Sequence, residues 1–370
     1  MFDSQTKHTL VQRHLENALL QAPILSPVRR SPRDLSVDHP TSPPASQMVE
    51  SAVLALRQGQ THYVDVPGIG PLRDALAAYL QGMRVVGYEA ANVLVTAGMQ
   101  EARFLTLQII GDLLGAVALP DTVHPGARQA AGVRRLEVRH LATDAENGFL
   151  PTPSAIRKAL QEGCKLLYLE SPVRLTGAAY DADSVAEVAS LLEEFNAGVI
   201  WDQGMAPWVP GYVSIGGQAG MAQRAMLVGE AWPGMGLEAW FVGYVAAPEG
   251  WLEPIRAMKQ VISICTSTPS QFAAVKAAEL YPAFHSEQME HLANSRQKAL
   301  RAAVNVAGRV LPGSALNVLA MHMQNAGQAR AALAKAGFGF ADGADFGAPD
   351  VLRLSVTLDD TVVRALKSLL

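Results

Sequence analysis

A glycine-containing turn at residues 98–100 has the residue types of an anion-binding site. Gly98, Met99 and Gln100 stand where an apolar run, ANVLVTA, gives way to a helical pattern. The first N–H groups of a helix have no partner within the helix, and the helix dipole is positive at that end. The turn therefore has the chemistry to hold a phosphate or carboxylate. A plain tight turn, in which Gly98 supplies an unusual backbone angle, explains the same residues.

Three further side chains have chemistry suited to a bound small molecule. Asp202 ends the apolar run VIW, Arg353 interrupts the apolar run VLRLSV, and His124 stands in the loop PDTVHPG. A planar guanidinium binds a carboxylate by two parallel hydrogen bonds, a geometry that lysine cannot reproduce. The alternatives are a strand-end cap for Asp202, a surface ion pair for Arg353 and an exposed loop histidine for His124.

Short apolar runs alternate with helical patterns along most of the chain, and these elements must position the residues above. The alternation predicts an α/β fold, with a mostly parallel central sheet covered by helices on both faces. In such sheets, ligands bind at the carboxyl ends of the strands. The predicted strands are ANVLVTAG, GAVALP, CKLLYLES, AGVIWDQG, RAMLVGEA and FVGYVAAP, and the helices between them include SAIRKALQEG and ADSVAEVASLLEEF.

The two ends of the chain differ in texture from this central part. Residues 5–20 have apolar positions at helical spacing, and residues 22–47 are rich in Pro and Ser and predict extended chain. After about residue 285 the pattern is typical of a smaller α/β unit. The sequence therefore predicts a large domain over residues 48–275, and a small domain made of residues 1–47 with 276–370.

Composition bounds the class of protein. The formal net charge is −4 and charged residues make up 17% of the chain, which gives no electrostatic case for nucleic acid. No apolar run reaches the roughly 18 residues needed to span a bilayer. Two distant cysteines, Cys164 and Cys265, and a polar N-terminus without a signal peptide favour a soluble cytoplasmic protein. No metal site is predicted.

Taken in order, the strand-end segments of the chain resemble the class I/II aminotransferases, the fold type I proteins of pyridoxal phosphate. The resemblance runs from about residue 35 to the end, and its order and spacing carry it. It implies a fold-type I architecture, pyridoxal phosphate as cofactor and a homodimer whose active sites lie between subunits. The segments are HYVDVPGIGPLRDALAAYL, TAGMQEA, YLESPVRLTG, VIWDQG, VGEAWPGMGLEAWFVGYV and ADFGAPDVLRLSV.

The resemblance also implies roles for individual residues. The turn at residues 98–100 matches the family's phosphate site, and Asp202 matches the carboxylate that pairs with the protonated pyridine nitrogen. Tyr63 matches the tyrosine offered across the dimer to the neighbour's phosphate. Arg353 matches the arginine that grips the substrate carboxylate, and His124 takes the place of the aromatic residue that stacks on the pyridine ring.

The segment that should carry the cofactor lysine departs from the family. Anchored on Gly243-Tyr244, it places Glu230 at the hydroxyl position, Pro233 at the lysine position and Phe241 at the arginine position. The nearest downstream lysine, Lys259, belongs to the next helix, and residues 166–258 contain no lysine. Proline has no side-chain amine for a Schiff base or for proton transfer. Phe241 removes a charge-assisted phosphate contact worth roughly 1.5–3 kcal/mol.

Two more positions differ around the same expected site. Arg174 stands where the family has the asparagine that contacts the ring oxygen, and Met205 stands where it usually has tyrosine. Together with Glu230, which adds negative charge beside a dianion, these changes predict an empty phosphate cup. Trp232, Met205 and Phe241 are expected to crowd it.

The charged residues of the site leave two arrangements open. An ion pair from Arg174 to Glu230 or Asp202 would make the site a plugged remnant. An unpaired Arg353 in a cleft would favour a carboxylate ligand. The sequence favours a plugged cofactor cup with a residual carboxylate site at Arg353 and Arg174.

Two functions remain. One is a degenerate or repurposed homologue without catalytic residues, which binds a small carboxylate or amino-acid-like ligand or partners an active paralogue. The other is an active enzyme with noncovalent pyridoxal phosphate, supported by the retained Asp202, Tyr63 and Arg353. A transcription regulator would need an added DNA-binding module, for which the residues before 35 leave no room.

Overall fold

The computed structural model describes residues 33–38, 43–133 and 136–370. The helix expected at residues 5–20 and most of the Pro-rich segment at 22–47 lie outside the described residues. Within them, no helix combines the length and apolar character needed to cross a membrane.

The larger sheet has seven strands in the order β1-β7-β6-β5-β4-β2-β3. Strand β7 is antiparallel to both of its neighbours, and the other neighbouring strands are parallel. The predicted fold class, a mostly parallel central sheet, is therefore confirmed, and Asp202 is the last residue of β5. The strands are β1 (Val93–Ala97), β2 (Ala116–Pro120), β3 (Glu137–Leu141), β4 (Leu166–Glu170), β5 (Gly198–Asp202), β6 (Ala225–Glu230) and β7 (Val242–Ala246).

Helices cover both faces of this sheet, because successive residues of each strand point to opposite sides. In β5, Val199 and Trp201 belong to one apolar cluster, and Ile200 belongs to another. The helices are α1 (Ser46–Arg57), α2 (Gly70–Gly82), α3 (Gly98–Leu114), α4 (Pro125–Val133), α5 (Pro153–Gln161), α6 (Ala182–Glu194), α7 (Glu249–Ile262) and α8 (Thr268–Ala303). The first cluster includes α1, α2, α5, α6 and the start of α8, and the second includes α3, α4 and α7.

A smaller antiparallel sheet, in the order β10-β11-β9-β8, packs on the second half of α8 and on α9 and α11. Leu35 is buried in the same cluster, and its backbone bonds to Gly339 and Ser355. The elements are β8 (Gly308–Val310), β9 (Val318–Met323), α9 (Ala326–Lys335), β10 (Ala341–Asp342), α10 (Gly343–Phe346), β11 (Val351–Ser355) and α11 (Asp359–Lys367). The domain boundaries at residues 47 and 275 stay a prediction, since α8 contributes to both apolar clusters.

Candidate active site

A cleft of about 740 Å³ opens at the carboxyl edge of the larger sheet. Three segments contribute most of its walls: the turn after β1, the start of α4, and the loop between β6 and β7. Its lining includes many of the residues expected from the sequence: Gly98, Met99, Gln100, His124, Arg174, Glu230, Trp232, Pro233 and Phe241. Many residues that the resemblance assigned to one site therefore line one cleft, and their roles stay predictions.

The turn at Gly98 has the unusual backbone angle that both interpretations of the sequence require, and its anion-binding role stays a prediction. Gly98 has φ of 76° and begins α3. The carboxylate of Glu101, in the first turn, accepts the Ala97 N–H at 2.5 Å and the Lys259 ammonium at 2.8 Å. Lys259 is fully buried in this ion pair and is not among the cleft-lining residues. The nearest lysine downstream of the expected position is therefore accounted for by a structural contact.

Asp202 is held by two side chains that the sequence analysis did not single out. Arg103 Nε donates to Asp202 Oδ2 at 2.8 Å, and the Tyr168 hydroxyl donates to the same oxygen at 2.7 Å. Asp202 Oδ1 accepts the Gly204 N–H at 3.1 Å. Burial alone would raise the pKa of Asp202, but the charges of Arg103 and Arg174 and the Tyr168 hydrogen bond lower it to about 2. The carboxylate is thus ionised and already engaged.

Among the site residues that were not predicted from the sequence, Arg103 is the most informative. It lies on α3, is buried, and lines the cleft. Its Nη2 is buried and makes no hydrogen bond within the described part of the chain. The available signal was an arginine in the otherwise apolar helix pattern QEARFLTLQIIGD. Its partner, 99 residues away, could not be read from that pattern.

Arg353 and Arg174 meet on a third missed residue, Asp38. Arg353 Nη2 is hydrogen-bonded to Asp38 Oδ1, and Arg174 Nη1 lies 3.3 Å from Asp38 Oδ2. Arg353 also donates to the carbonyls of Arg174 at 3.0 Å and Ser36 at 3.1 Å. It is 1% exposed and is not among the cleft-lining residues. The described ion pairs of Arg174 and Arg353 therefore both run to Asp38, and the substrate role of Arg353 stays a prediction.

Two neighbouring groups have shifted pKa values: Glu170, which is buried, and His124, which lines the cleft. The buried Glu170 carboxylate accepts the N–H groups of His124 at 2.7 Å and Arg174 at 3.0 Å. Burial, together with the nearby charge of Asp202, raises the pKa of Glu170 from 4.5 to about 7. Burial and the charges of Arg103 and Arg174 lower the pKa of His124 well below its ordinary value, so this imidazole is neutral at pH 7.

The loop between β6 and β7 forms the wall where the cofactor lysine was sought. Pro233 and Glu230 line the cleft there, and no lysine is among its described lining residues. Trp232 packs on Tyr79, with ring centroids 6.3 Å apart, and belongs to the core. Phe241 lines the same wall but is 61% exposed. The wall is therefore apolar apart from Glu230 and Glu238.

Met205 and Tyr63 lie elsewhere in the described chain. Met205 is buried in the apolar cluster of the smaller sheet and is not among the lining residues, so the expected crowding of the cleft by this side chain is wrong. Tyr63 is 79% exposed and does not line the cleft. Within the described residues, no cluster of His, Cys, Asp and Glu could hold a metal ion.

Comparison with known proteins gives a consistent family. A family model described as aminotransferase class I and II matches residues 34–369. The aspartate/prephenate aminotransferase of Thermus thermophilus is 28% identical over 90% of this chain and 89% of its own length. The aspartate aminotransferase of Pyrococcus horikoshii is 22% identical over 71% of this chain and 68% of its own.

Solved structures show the same fold. The aspartate aminotransferase from Thermus thermophilus with maleate has a TM-score of 0.82 at 24% identity, covering 91% of this chain and 90% of that one. The N-succinyldiaminopimelate aminotransferase from Mycobacterium tuberculosis has a TM-score of 0.82 at 23% identity, covering 91% and 92%.

Proposed function

Because the chain belongs to the aminotransferase class I and II family, we propose that it is a repurposed member that forms no covalent pyridoxal phosphate aldimine. Its cleft instead binds a small ligand that carries a carboxylate, of the amino-acid or keto-acid class. The proposed protein is therefore a binding protein that lacks the catalytic chemistry of its relatives.

The state of Asp202 is the observation that carries this proposal. Pyridoxal phosphate acts as an electron sink when a carboxylate pairs with its pyridinium nitrogen. Here Oδ2 of that carboxylate is already engaged by Arg103 and Tyr168. A pyridinium at this place would bring a second cation against the Arg103 guanidinium. The residues present therefore do not fit the cofactor in the family's manner.

The missing amine gives the second argument. Schiff-base formation needs a lysine side chain inside the cleft. The expected position is Pro233, and Lys259 is buried in an ion pair with Glu101. Without that amine, no step of the family's chemistry can be assigned to the described lining residues. We therefore name no catalytic residue.

The ligand class follows from the size of the cleft and from the family. A volume of about 740 Å³ is within the range of small-molecule sites. Relatives carry the names of aspartate, prephenate and N-succinyldiaminopimelate aminotransferases, whose amino donors and acceptors are carboxylic acids. Arg174 lines the cleft and supplies a guanidinium suited to a carboxylate.

Titration with pyridoxal phosphate tests the proposal. The purified protein should show no visible aldimine band that survives dialysis, because no lysine of the described residues lines the cleft. In calorimetric titrations, an amino acid or keto acid should bind and pyridoxal phosphate should not. Micromolar binding of pyridoxal phosphate would show that the cofactor cup is intact and that the proposal is wrong.

An active enzyme with noncovalently held pyridoxal phosphate is the second candidate. It is favoured by the ionised Asp202 and by the Gly98 turn, which begins α3 at the cleft. This enzyme would show transamination that depends on added pyridoxal phosphate and is lost in Asp202→Asn. Absence of turnover in the native protein, under conditions where a related aminotransferase is active, would exclude it.

We also propose a two-fold homodimer, or a dimer with an active paralogue, in the cytoplasm. In the family, the active site is completed across the dimer. The 79% exposure of Tyr63 on one subunit supports the same arrangement, because a large aromatic side chain is then available to a partner.

A further inference from the structure

Asp38 joins the two arginines that the sequence assigned to substrate binding. One carboxylate oxygen, Oδ1, bonds to Arg353 Nη2, and the other, Oδ2, lies 3.3 Å from Arg174 Nη1. The two guanidinia are 1% and 4% exposed as side chains. One carboxylate thus contacts two buried guanidinium groups. We call Arg174 and Arg353 the two-arginine clamp.

Asp38 and Arg174 are the members of this group that reach the cleft. The Asp38 side chain is 31% exposed and lines the cleft, whereas Arg353 lies behind it. The preceding residues fix its position, since Leu35 is fully buried and its carbonyl accepts the Ser355 N–H at 2.7 Å. Arg353 also donates to the Ser36 carbonyl at 3.1 Å. The Asp38 carboxylate is therefore delivered to the clamp by an anchored backbone.

Arg174 has no other described ion pair that could replace this one. Its Nη2 lies over Gly204, where an added β-carbon would be 2.7 Å away, so the guanidinium is confined beside the Asp202 turn. Its Nη1 makes no hydrogen bond of good geometry to described residues. Removing the Asp38 carboxylate would leave two like charges buried side by side, which is costly.

We propose that Asp38 is an internal ligand of the two-arginine clamp, and that an external carboxylate reaches the clamp only by displacing it. This inference rests on the proposed function, since it concerns how that carboxylate ligand is bound. The exchange of one carboxylate for another preserves both the charge balance and the hydrogen bonds. Because Asp38 is tethered, it competes at a high effective concentration. The native clamp therefore rejects simple monocarboxylates and admits ligands with further contacts in the cleft.

Removal of the internal carboxylate tests the proposal. Asp38→Ala, in the full-length chain, should melt at a lower temperature than the native protein. Acetate should raise that melting temperature relative to chloride at matched ionic strength, because it replaces the missing carboxylate. Acetate should also bind the variant more tightly than the native protein, by about tenfold or more, since the tethered competitor is gone.

Two further variants make this result specific. Asp345→Ala removes an exposed acid that also lines the cleft, so it changes net charge equally and should not gain acetate binding. Asp38→Ala combined with Arg353→Met should lose the gain, because half of the clamp is absent. If Asp38→Ala does not fold, Asp38→Asn keeps the size of the side chain and should show the same preference for acetate over chloride.

The outcomes separate this inference from the proposed function. If the Asp38 variants show no preference for acetate over chloride, or bind it no better than Asp345→Ala, the internal-ligand proposal is overturned. If they bind acetate but the native protein binds no amino or keto acid, Asp38 is an internal ligand and the proposed ligand-binding function fails. If the native protein binds such an acid and the Asp38 variants bind neither it nor acetate more tightly, the function stands and this inference fails.

Discussion

Arg103 and Asp202 form an ion pair in which both side chains are almost fully buried. Neighbouring Glu170 and Tyr168 raise the pKa of Arg103, and the Tyr168 hydrogen bond lowers the pKa of Asp202. Each charge in this cluster is therefore stable only while its partner is present, and single substitutions should cost more than double ones.

Loss of Arg103 should destabilise the protein strongly. Arg103→Met leaves the Asp202 carboxylate buried with only the Tyr168 and Gly204 donors, which we expect to lower the free energy of unfolding by about 3–5 kcal/mol. Adding Asp202→Asn should recover part of this loss, as urea denaturation would measure. The matched control is Arg157→Met, which breaks a half-exposed ion pair with Glu194 and should cost under about 1 kcal/mol. Equal losses in the two single variants would contradict the prediction.

The titration of Glu170 should make the free energy of unfolding fall as pH rises toward neutrality. Its pKa is raised from 4.5 to about 7, so the folded chain binds a proton that the unfolded chain releases. The resulting stabilisation is present below about pH 4.5 and is lost as pH rises through about 7, in total roughly 3 kcal/mol. Asp202 has the opposite sign, because its lowered pKa removes stability only as pH falls through about 2. Glu170→Gln should flatten the unfolding profile between about pH 5 and 7; an unchanged slope would count against this assignment.

At the scale of elements, the site depends on a close approach between β7 and the start of α3. A β-carbon on Gly243 would lie 2.7 Å from the carbonyl carbon of Gly98 and 2.9 Å from its oxygen. Both contacts are with backbone, so neither can be relieved by rotating a side chain. The same approach places Phe241 beside Gly98, with 3.4 Å between Phe241 Cδ1 and an added β-carbon.

Gly243→Ala should therefore lower stability by about 2 kcal/mol, as expected for overpacking against fixed atoms. Gly250→Ala is the matched control, because Gly250 lies in α7 and an added β-carbon there meets nothing within 4 Å. It should be neutral or stabilising by up to about 1 kcal/mol, since alanine favours helix. Thermal and urea denaturation of both variants measure the difference. A Gly243→Ala protein as stable as the native one would show that the two backbones are not so close.

At the scale of the whole molecule, the proposed dimer is the main expectation. Light scattering at micromolar concentration should give twice the chain mass of 39.4 kDa. Tyr63→Asp should shift the protein toward monomer, because it would bury a charge at the interface, whereas Tyr63→Phe should not. A native monomer would contradict the dimer, and a dimer unaffected by Tyr63→Asp would place Tyr63 outside its interface.

The sequence by itself determined the architecture and much of the cleft. Alternating apolar runs and helical patterns are local signals, so the central sheet, Asp202 at the end of β5 and the Gly98 turn could all be predicted. The absence of lysine between residues 166 and 258 is likewise a property of the sequence alone. The family resemblance, anchored on Gly243-Tyr244, also located the loop that holds Pro233 and Glu230.

Only the tertiary structure decided how the charges pair. Asp38 and Arg353 are 315 residues apart, and Arg103 and Asp202 are 99 apart. Local patterns report which face of an element is buried, but not which remote side chain lies opposite it. Met205 shows the same limit, since its distance from the cleft depends on how the chain after β5 packs on the smaller sheet. A buried charge must find a partner of opposite sign, and the fold alone determines which one is within reach.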